Sequence, residues 1–304
     1  MKGAIHNIPG AGNGAAAGVE GHVHAVLEIV RAHTGVDFAC YRTPMLERRI
    51  SNRVASVGAA SVADYLRVLR GSAEEPFRLL ERLTIKVSRF YRHAPTFDHL
   101  AYVMLPELAK ARGGEPLRIW CAGCGAGEEA YTFAMLLEHL RIDGFVEATD
   151  IDATALEDAR AAVYPLSAAV ELPASLIEAY LEPEVVRGQP GYRVQDNLRE
   201  RVRFTRHDVT APVAPPGNHC FDLVSCRNVL IYLQRAAQAN AMRRLLDVIR
   251  EDGVLCLGEA EWPLPELASE LEPLPHKTRL FRMRAAAPFA DDNELNRARL
   301  RPGA

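Results

Sequence analysis

The sequence predicts an α/β protein in which a small all-helical domain precedes a doubly wound, mostly parallel sheet. Residues 22–87 carry apolar side chains at spacings of three and four, which is typical of amphipathic helices. Residues 117–285 alternate between short apolar runs and helical patterns, as βαβ proteins do. Residues 117–152 contain a predicted strand, a glycine-rich loop, a helix and a second strand, which together form one βαβ unit.

The helical domain is predicted at residues 22–87. Its four helices are expected at 22–34, 44–57, 62–71 and 74–83. The Gly- and Ala-rich start, residues 1–21, lacks the basic and apolar segments of a signal peptide and is predicted to be a disordered leader. The polar residues 286–304 are predicted to form a flexible tail.

The α/β domain is expected to span residues 88–285. Its strands are predicted at 117–122, 146–149, 202–207, 221–225, 254–258 and 278–283. Residues 164–201 are too many for a simple connection between two of these elements, and they contain four prolines and a hairpin-like turn. They are therefore predicted to form an inserted, β-containing subdomain.

A glycine-rich loop follows the first predicted strand of the α/β domain. Gly123, Gly125 and Gly127 form a GxGxG pattern, and glycine lets a backbone turn sharply and approach a ligand closely. Asp150 ends the second strand, and an acid about 20 residues beyond such a loop can accept hydrogen bonds from ribose hydroxyls. The unit therefore predicts a nucleotide-binding pocket.

Two glutamates distinguish between the nucleotides that such a unit binds. A dinucleotide places its pyrophosphate at the positive N-terminus of the helix, where Glu128 and Glu129 would repel it. S-adenosylmethionine presents an ammonium and a sulfonium group, for which carboxylates are suitable partners. The sequence thus predicts a Rossmann-like sheet of the class I S-adenosylmethionine methyltransferase type, with this methyl donor as cofactor.

Composition narrows the classes of partner. The net charge of −3 and the sequence pI of about 6.4 argue against nucleic-acid binding, because a basic excess is missing. No apolar run approaches 18 residues, which argues against membrane insertion and favours a cytoplasmic protein. Cys121 and Cys124 form a CxxC without a second cysteine or histidine pair, so no metal is predicted and the two thiols are expected to line the pocket.

The second predicted helix is basic. Arg49 and Arg53 lie four residues apart and Arg48 is adjacent. A solvated basic face and a docking surface for an acidic partner helix are both compatible with this pattern.

Four stretches of the chain match signatures that occur in the same order in one known family. They are LTIKVSRFYR at 83–92, WCAGCGAGEEAY at 120–131, ATDID at 148–152 and CRNVLIYL at 226–233. On these motifs the chain resembles the chemotaxis receptor glutamate methyltransferases, the CheR type, over about residues 22–284. The resemblance implies a monomeric protein-glutamate O-methyltransferase that converts S-adenosylmethionine to S-adenosylhomocysteine and acts on chemoreceptor-like proteins.

The resemblance also implies roles for individual residues. Glu129 would hold the methionine ammonium of the cofactor, and Asp150 its ribose. The catalytic positions are Arg92, Arg227 and Tyr232, and acidic receptor helices would contact Arg48, Arg49 and Arg53. The implied cofactor-binding positions are Lys86, Ser88, Arg92, Gly123, Glu129, Asp150, Asp208, Val209, Arg227 and Asn228.

A glutamate acceptor sets modest chemical demands on these positions. Its carboxyl has a pKa near about 4.3, so at neutral pH it is an anionic nucleophile that needs orientation but no general base. The guanidinium of Arg92 or Arg227 would hold the carboxylate, and Tyr232 would add a neutral hydrogen bond. Arg227 has a structural alternative, an ion pair with Asp222 or Glu259.

Departures from the family pattern keep other functions open. Lys86 stands where the family often has Asn, and residues 258–261 read GEAE in place of a GHSE-like ending. A sensor or scaffold that binds S-adenosylmethionine or S-adenosylhomocysteine without transfer, or a methyltransferase with another acceptor, remains an alternative.

Overall fold

The helical domain folds around one apolar core. The computed structural model describes residues 13–84, 88–211, 220–275 and 278–284. The domain contains α1 (Asn13–Thr34), α2 (Thr43–Ser56), α3 (Val62–Gly71) and α4 (Glu75–Leu83). Val26, Ile50, Tyr65 and Leu79 are fully buried where the four helices meet. Apolar spacing therefore located α2, α3, α4 and the end of α1.

The N-terminal helix begins earlier than the sequence predicted. Helix α1 starts at Asn13, within the segment 1–21 that was expected to be a disordered leader. Ala15, Ala16 and Ala17 favour helix more than any other residue type, and this preference outweighs the adjacent glycines. Residues 1–12, Lys86 and the predicted tail at 286–304 lie outside the described residues.

The α/β domain contains a seven-stranded sheet with the order β6-β2-β1-β7-β8-β10-β9. The first five strands in this order are parallel, and β10 pairs antiparallel with both β8 and β9. The strands are β1 (Leu117–Ala122), β2 (Gly144–Asp150), β6 (Val202–Arg206), β7 (Phe221–Cys226), β8 (Ile249–Leu257), β9 (Leu271–Pro273) and β10 (Leu280–Met283). The predicted fold class is confirmed, and β9 is an edge strand that the sequence pattern did not indicate.

Helices cover both faces of this sheet. They are α5 (Ala94–His99), α6 (Leu105–Ala111), α7 (Glu128–His139), α8 (Ala153–Ala161) and α11 (Arg235–Asp247). A π-helical turn, Leu100–Met104, joins α5 to α6. The sequence did not predict α5 and α6, because the turn shifts their apolar period. Pro95 and Pro106 lie in their first turns, where a missing N–H is tolerated.

A second, smaller sheet lies between α8 and β6 in the chain. Strands β3 (Val163–Pro165), β4 (Leu181–Val186) and β5 (Gln189–Val194) form an antiparallel sheet with β5 in the centre. Two short helices, α9 (Ala174–Tyr180) and α10 (Asp196–Arg199), accompany it. This arrangement is the inserted β-containing unit of the predicted fold class.

The helical domain contacts the carboxyl edge of the large sheet. The connection between α1 and α2 pairs with the segment after β7, since Tyr41 forms a β-bridge with Leu233 and the Arg42 amide donates to the Tyr232 carbonyl at 2.9 Å. At the end of α4, the Thr84 hydroxyl donates to Oδ2 of Asp152 at 2.9 Å. The two domains therefore share a polar seam beside the strand ends.

Arg53 does not belong to an exposed basic surface. Its guanidinium makes two hydrogen bonds to the Glu75 carboxylate, at 2.8 and 2.6 Å, and the Tyr65 hydroxyl donates to the same carboxylate at 2.7 Å. The side chains of Arg53 and Glu75 are only 13% and 6% exposed. The expectation that Arg53 contacts a partner is therefore corrected, because its charge is neutralised inside the domain. Arg48 is exposed and Arg49 is half-buried.

Among the described residues, no helix combines the length and apolarity needed to cross a bilayer.

We expect the Glu75→Ala substitution to destabilise the protein by about 3–5 kcal/mol, because it leaves the guanidinium of Arg53 buried without its partner. Urea denaturation measures this change in the free energy of unfolding. The matched control is Glu74→Ala, since Glu74 is 75% exposed and pairs with Arg78 at the surface, and it should cost about 0–1 kcal/mol. Equal losses in both variants would contradict a stabilising role for the buried pair.

The same pair predicts a pH dependence of stability. The pKa of Glu75 is lowered from 4.5, because hydrogen bonds from Arg53 and Tyr65 outweigh the burial that alone would raise it. An acid whose pKa is lower in the folded state than in the unfolded state stabilises the protein at pH values above its unfolded-state pKa. The contribution of Glu75 is therefore lost as the pH falls through its folded-state pKa, and the Glu75→Ala variant should lack this part of the acid transition.

Candidate functional site

A cavity lies at the carboxyl ends of the parallel strands of the large sheet. It is located where the order of the strands along the chain reverses direction. From β1 the chain adds β2 and then β6 on one side, and β7 and β8 follow on the other side. Ligands of open α/β sheets bind at such a switch point. The cavity has walls from both domains, since Tyr41, Met45 and Thr84 of the helical domain also line it.

The structure brings together every predicted site residue that it describes. Lys86 lies outside the described residues. The others line this one cavity: Ser88, Arg92, Gly123, Glu129, Asp150, Asp208, Val209, Arg227, Asn228 and Tyr232. Their roles remain predictions, but their common location follows from their positions after β1, β2, β6 and β7 and before α5.

The glycine loop after β1 requires glycine at its first corner. Gly123 has a φ of +77°, and a Cβ atom there would overlap the Cγ2 methyl of Val229. The amides of Gly123 and Cys124 donate to the Thr149 carbonyl at 2.7 and 2.9 Å, which ties the loop to the end of β2. The close approach of Val229 thus explains why no side chain is tolerated at this position.

A buried ion pair lies at the floor of the cavity. Nη1 of Arg227 donates to Oε2 of Glu129 at 2.8 Å, and the Ser225 hydroxyl donates to Oε1 at 2.6 Å. The Cys121 thiol lies 3.4 Å from the same Oε1. Glu129 lies in the first turn of α7, Ser225 lies near the end of β7 and Arg227 directly follows that strand, so the pair joins a helix start to a strand end. It holds the Glu129 carboxylate in one orientation within the cavity wall.

Arg227 is buried and bound by several protein groups. Its side chain is 3% exposed, its Nη2 donates to the Arg92 carbonyl at 2.8 Å, and its guanidinium lies 5.2 Å from the centre of the Phe97 ring. Burial alone would lower its pKa, but the charge of Glu129 raises it. Nη1 and Nη2 each donate to a protein acceptor, but arginine has five N–H donors and its Nε has no partner among the described residues, so the contact of Arg227 with an acceptor carboxylate stays a prediction. Its ion-pair partner is Glu129, and neither Asp222 nor Glu259.

Arg92 lies in a backbone segment that the surrounding structure constrains. Tyr91 and His93 on either side have φ values of +57° and +68°. Strained conformations of this kind persist only where several contacts enforce them. The Tyr91 amide donates to the Thr132 hydroxyl at 3.0 Å, the His93 amide donates to Glu171 at 2.8 Å, and Arg227 binds the Arg92 carbonyl. These bonds fix the point from which the Arg92 side chain enters the cavity.

Two acids at neighbouring strand ends are held by backbone amides. Asp150 accepts hydrogen bonds from the amides of Gly125 and Asp152 at 2.8 and 2.9 Å. Asp208 accepts the amide and the hydroxyl of Thr210 through Oδ1, at 2.8 and 2.7 Å. Each carboxylate is thereby oriented at the cavity, and Oδ2 of Asp208 keeps acceptor capacity for hydroxyl or amino groups of a ligand.

Tyr232 lies at the junction of the two domains. It ends a 3₁₀ turn, Leu230–Tyr232, and is half-buried beside the cavity. Burial raises its pKa, while the nearby positive charges of Arg49 and Arg92 oppose this shift. The hydroxyl therefore stays protonated at neutral pH and can donate a hydrogen bond. Arg49, predicted as a partner contact, acts electrostatically on the same side of the cavity.

Sequence reasoning missed the contribution of the helical domain to the cavity. Tyr41 follows α1, and Thr84 and Asp152 meet across the domain seam. Asp152 also caps α8 by accepting the amides of Thr154 and Ala155, so the motif ATDID carried a helix-start signal. The location of Tyr41 had no such signal, because it depends on how the two domains pack.

Cys121 and Cys124 are buried, and Cys124 lines the cavity. Burial raises the pKa of both thiols, so they are neutral small side chains here. Within the described residues, no group of three or more His, Cys, Asp or Glu side chains is arranged to hold a metal ion.

We expect the Gly123→Ala substitution to weaken binding of S-adenosylhomocysteine by at least about tenfold, because the new methyl group pushes Val229 and the loop apart. Calorimetric titration measures the affinity. Gly58→Ala is the matched control, since Gly58 has a φ of +72° but open space at its Cβ position. It therefore carries the backbone strain alone. Wild-type affinity in Gly123→Ala would contradict the packing argument.

Comparisons with known proteins agree with this geometry. Residues 86–278 match the family model described as the CheR methyltransferase, SAM binding domain, and residues 22–84 match the CheR methyltransferase, all-alpha domain. A chemotaxis protein methyltransferase of Listeria monocytogenes is 30% identical over 77% of this chain and 87% of its own length. Chemotaxis protein methyltransferase 2 of Vibrio cholerae is 28% identical over 75% of this chain and 81% of its own length.

A longer relative shows the same similarity over more of the chain. An uncharacterized 104.1 kDa protein of Rhodobacter capsulatus is 32% identical over 88% of this chain, which spans only 28% of that relative. The two family models together cover the helical domain, the seam and the cavity. The chain belongs to the CheR family of S-adenosylmethionine-dependent methyltransferases.

Proposed function

We propose that the protein transfers the methyl group of S-adenosylmethionine to glutamate side chains of chemoreceptor-like signalling proteins, acting as a cytoplasmic monomer. One observation carries this proposal. Oriented carboxylates for a cationic nucleoside, Glu129 and Asp150, line the same cavity as Arg92 and Tyr232, which suit an anionic acceptor. A sensor without transfer would need only the first of these two sets.

The donor set of the cavity fits S-adenosylmethionine. Glu129 presents a carboxylate for the ammonium group, and Asp150 presents acceptors for the ribose hydroxyls. Asp208 and Val209 would lie against the adenine, where the free capacity of Asp208 suits an amino group. When bound, the cofactor supplies a methyl group on a positively charged sulfur, which is electrophilic.

The residues of the chain have to orient the acceptor. A glutamate side chain with a pKa near about 4.3 is ionised at neutral pH, so no residue needs to remove a proton. Arg92 can bind one carboxylate oxygen and Tyr232 can donate a hydrogen bond, which would leave the other oxygen to bond the methyl carbon as the carbon–sulfur bond breaks and its electron pair stays on sulfur. Positioning of this kind supplies up to about 7–11 kcal/mol of a barrier. Arg227 contributes indirectly, through its bonds to Glu129 and to the Arg92 backbone.

Names of the relatives support the acceptor class. Several are chemotaxis protein methyltransferases, and one from Pseudomonas putida is a probable biofilm formation methyltransferase. The half-buried Arg49 on α2 acts on Tyr232, the adjacent Arg48 is exposed, and both would attract acidic segments of a receptor helix. Each transfer removes one negative charge from such a helix and reduces like-charge repulsion there.

The proposed reaction predicts base-labile methyl incorporation. With labelled S-adenosylmethionine and membranes from the native cell, we expect label on receptor-sized proteins that alkali releases as volatile methanol. The Arg92→Ala variant should lose about a hundredfold in rate, because the acceptor is no longer aligned. It should keep most of its affinity for S-adenosylhomocysteine, since Glu129 and Asp150 are unchanged.

The control is Arg78→Ala, which removes an exposed arginine that pairs with Glu74 on α4. It should label membranes at the wild-type rate. Absence of alkali-labile label with the wild-type protein, despite measured cofactor binding, would contradict the proposed function and favour the sensor alternative.

A further inference from the structure

A buried carboxylate outside the predicted site holds the loop that follows β7. Glu261 is 4% exposed. Its Oε2 accepts the amides of Gly258 and Asn228 at 2.7 and 2.8 Å, and its Oε1 accepts those of Val229 and Ile231 at 3.0 and 3.3 Å. All four donors belong to the main chain. The carboxylate therefore determines the path of the backbone at residues 228–231.

This backbone path would be unfavourable without an anion. Asn228 has a φ of +60°, and Val229 follows in the right-handed helical region. Successive residues of opposite hand direct their N–H groups towards one point and form an anion-binding concavity. Such a concavity often receives a ligand, but here the side chain of Glu261 fills it.

Gly258 is matched to the same contact. A Cβ atom at this position would lie 2.7 Å from Oε2 of Glu261 and 2.8 Å from the Asn228 amide nitrogen. The carboxylate and the loop approach the backbone at Gly258 so closely that only glycine fits. The departure from the family pattern at residues 259 and 260 therefore leaves both members of this contact in place.

The loop that Glu261 holds forms one wall of the cavity. Asn228 and Tyr232 line the cavity, and Val229 packs against the glycine loop at Gly123. The Tyr232 carbonyl accepts the Arg42 amide of the helical domain. A shift of residues 228–231 would therefore move the acceptor side of the cavity, whereas Asp150 is held by the amides of Gly125 and Asp152.

We infer that Glu261 is a positioning residue for methyl transfer: its carboxylate fixes the backbone of residues 228–231 and thereby sets the location of Asn228 and Tyr232 at the acceptor. This inference rests on the proposed function. It assigns a role to a residue that touches neither cofactor nor acceptor.

The test uses Glu261→Gln in the full chain. Glutamine has the same shape, but its NH₂ group opposes two of the four amide donors. We expect the maximal rate of alkali-labile membrane labelling to fall at least about tenfold, because alignment of the acceptor depends on this loop. The affinity for S-adenosylhomocysteine should fall less than the rate does, since no added methyl group forces Val229 away from Gly123, and the amount of membrane that gives half the maximal rate should change little. Hydrogen exchange at the amides of residues 228–231 should accelerate selectively.

Two further variants make the test specific. Glu266→Gln removes a charge from the same segment at an exposed pair with Arg235, and it should behave as the wild type does. Gly258→Ala disturbs the same contact from the other side, and it should reproduce the loss of rate with Glu261 intact. If the Glu261→Gln protein does not fold, the rate of Gly258→Ala alone tests whether this contact sets the transfer rate.

The outcomes separate this inference from the proposed function. No transfer by the wild-type protein would contradict the proposed function itself. Transfer by the wild type, with an equal rate per folded molecule in Glu261→Gln or in Gly258→Ala, would overturn the role of Glu261. A purely structural role would lower the thermal midpoint but leave that rate unchanged.

Discussion

The buried ion pair between Glu129 and Arg227 is the interaction on which the cavity depends. It joins the first turn of α7 to the end of β7, across 98 positions of the chain. Arg227 also binds the Arg92 carbonyl and lies against the Phe97 ring, so the segment before α5 depends on the same guanidinium. Removal of one partner from such a pair leaves an uncompensated buried charge, which costs about 3–5 kcal/mol. The orientation of Glu129 is therefore established by the fold before any ligand arrives.

Other carboxylates around the cavity are also held in one orientation, and backbone amides donate the hydrogen bonds that hold them. Asp150 binds the amide of Gly125, Asp208 binds the amide of Thr210, and Glu261 binds the amides that follow β7. The loops at the strand ends therefore gain part of their order from these charge-assisted bonds. This explains how a cavity bounded mainly by loops can hold a fixed geometry. It also explains why several positions with positive φ, among them Asn228 and His93, cluster here.

The parts of the fold that sequence patterns predicted are those that local periodicity and turn chemistry determine. The βαβ unit, the four N-terminal helices and the inserted β unit follow from such signals, and the cavity residues follow because strand ends meet at one sheet edge. Roles of the arginines depend on tertiary partners. Arg53 binds Glu75, 22 positions away, and Arg227 binds Glu129. No spacing in the sequence distinguishes these from arginines that face a ligand. Helices α5 and α6 were missed because the π-helical turn between them shifts the apolar period.

The packing of the helical domain on the strand ends affects the balance of charge around the cavity. Under the proposed function, Asp150 and Asp208 would make the cofactor side of the cavity acidic, beside a Glu129 whose charge Arg227 offsets, and an anionic acceptor that approached this side alone would be repelled. Arg92 enters from the segment before α5, and Arg49 approaches Tyr232 from α2. The charges of Arg92 and Arg49 thus both act at Tyr232, at the domain junction. An α/β domain without α2 would lack the charge of Arg49. Under the proposed function, the helical domain is therefore part of the electrostatic environment in which an acceptor carboxylate would reach the methyl donor.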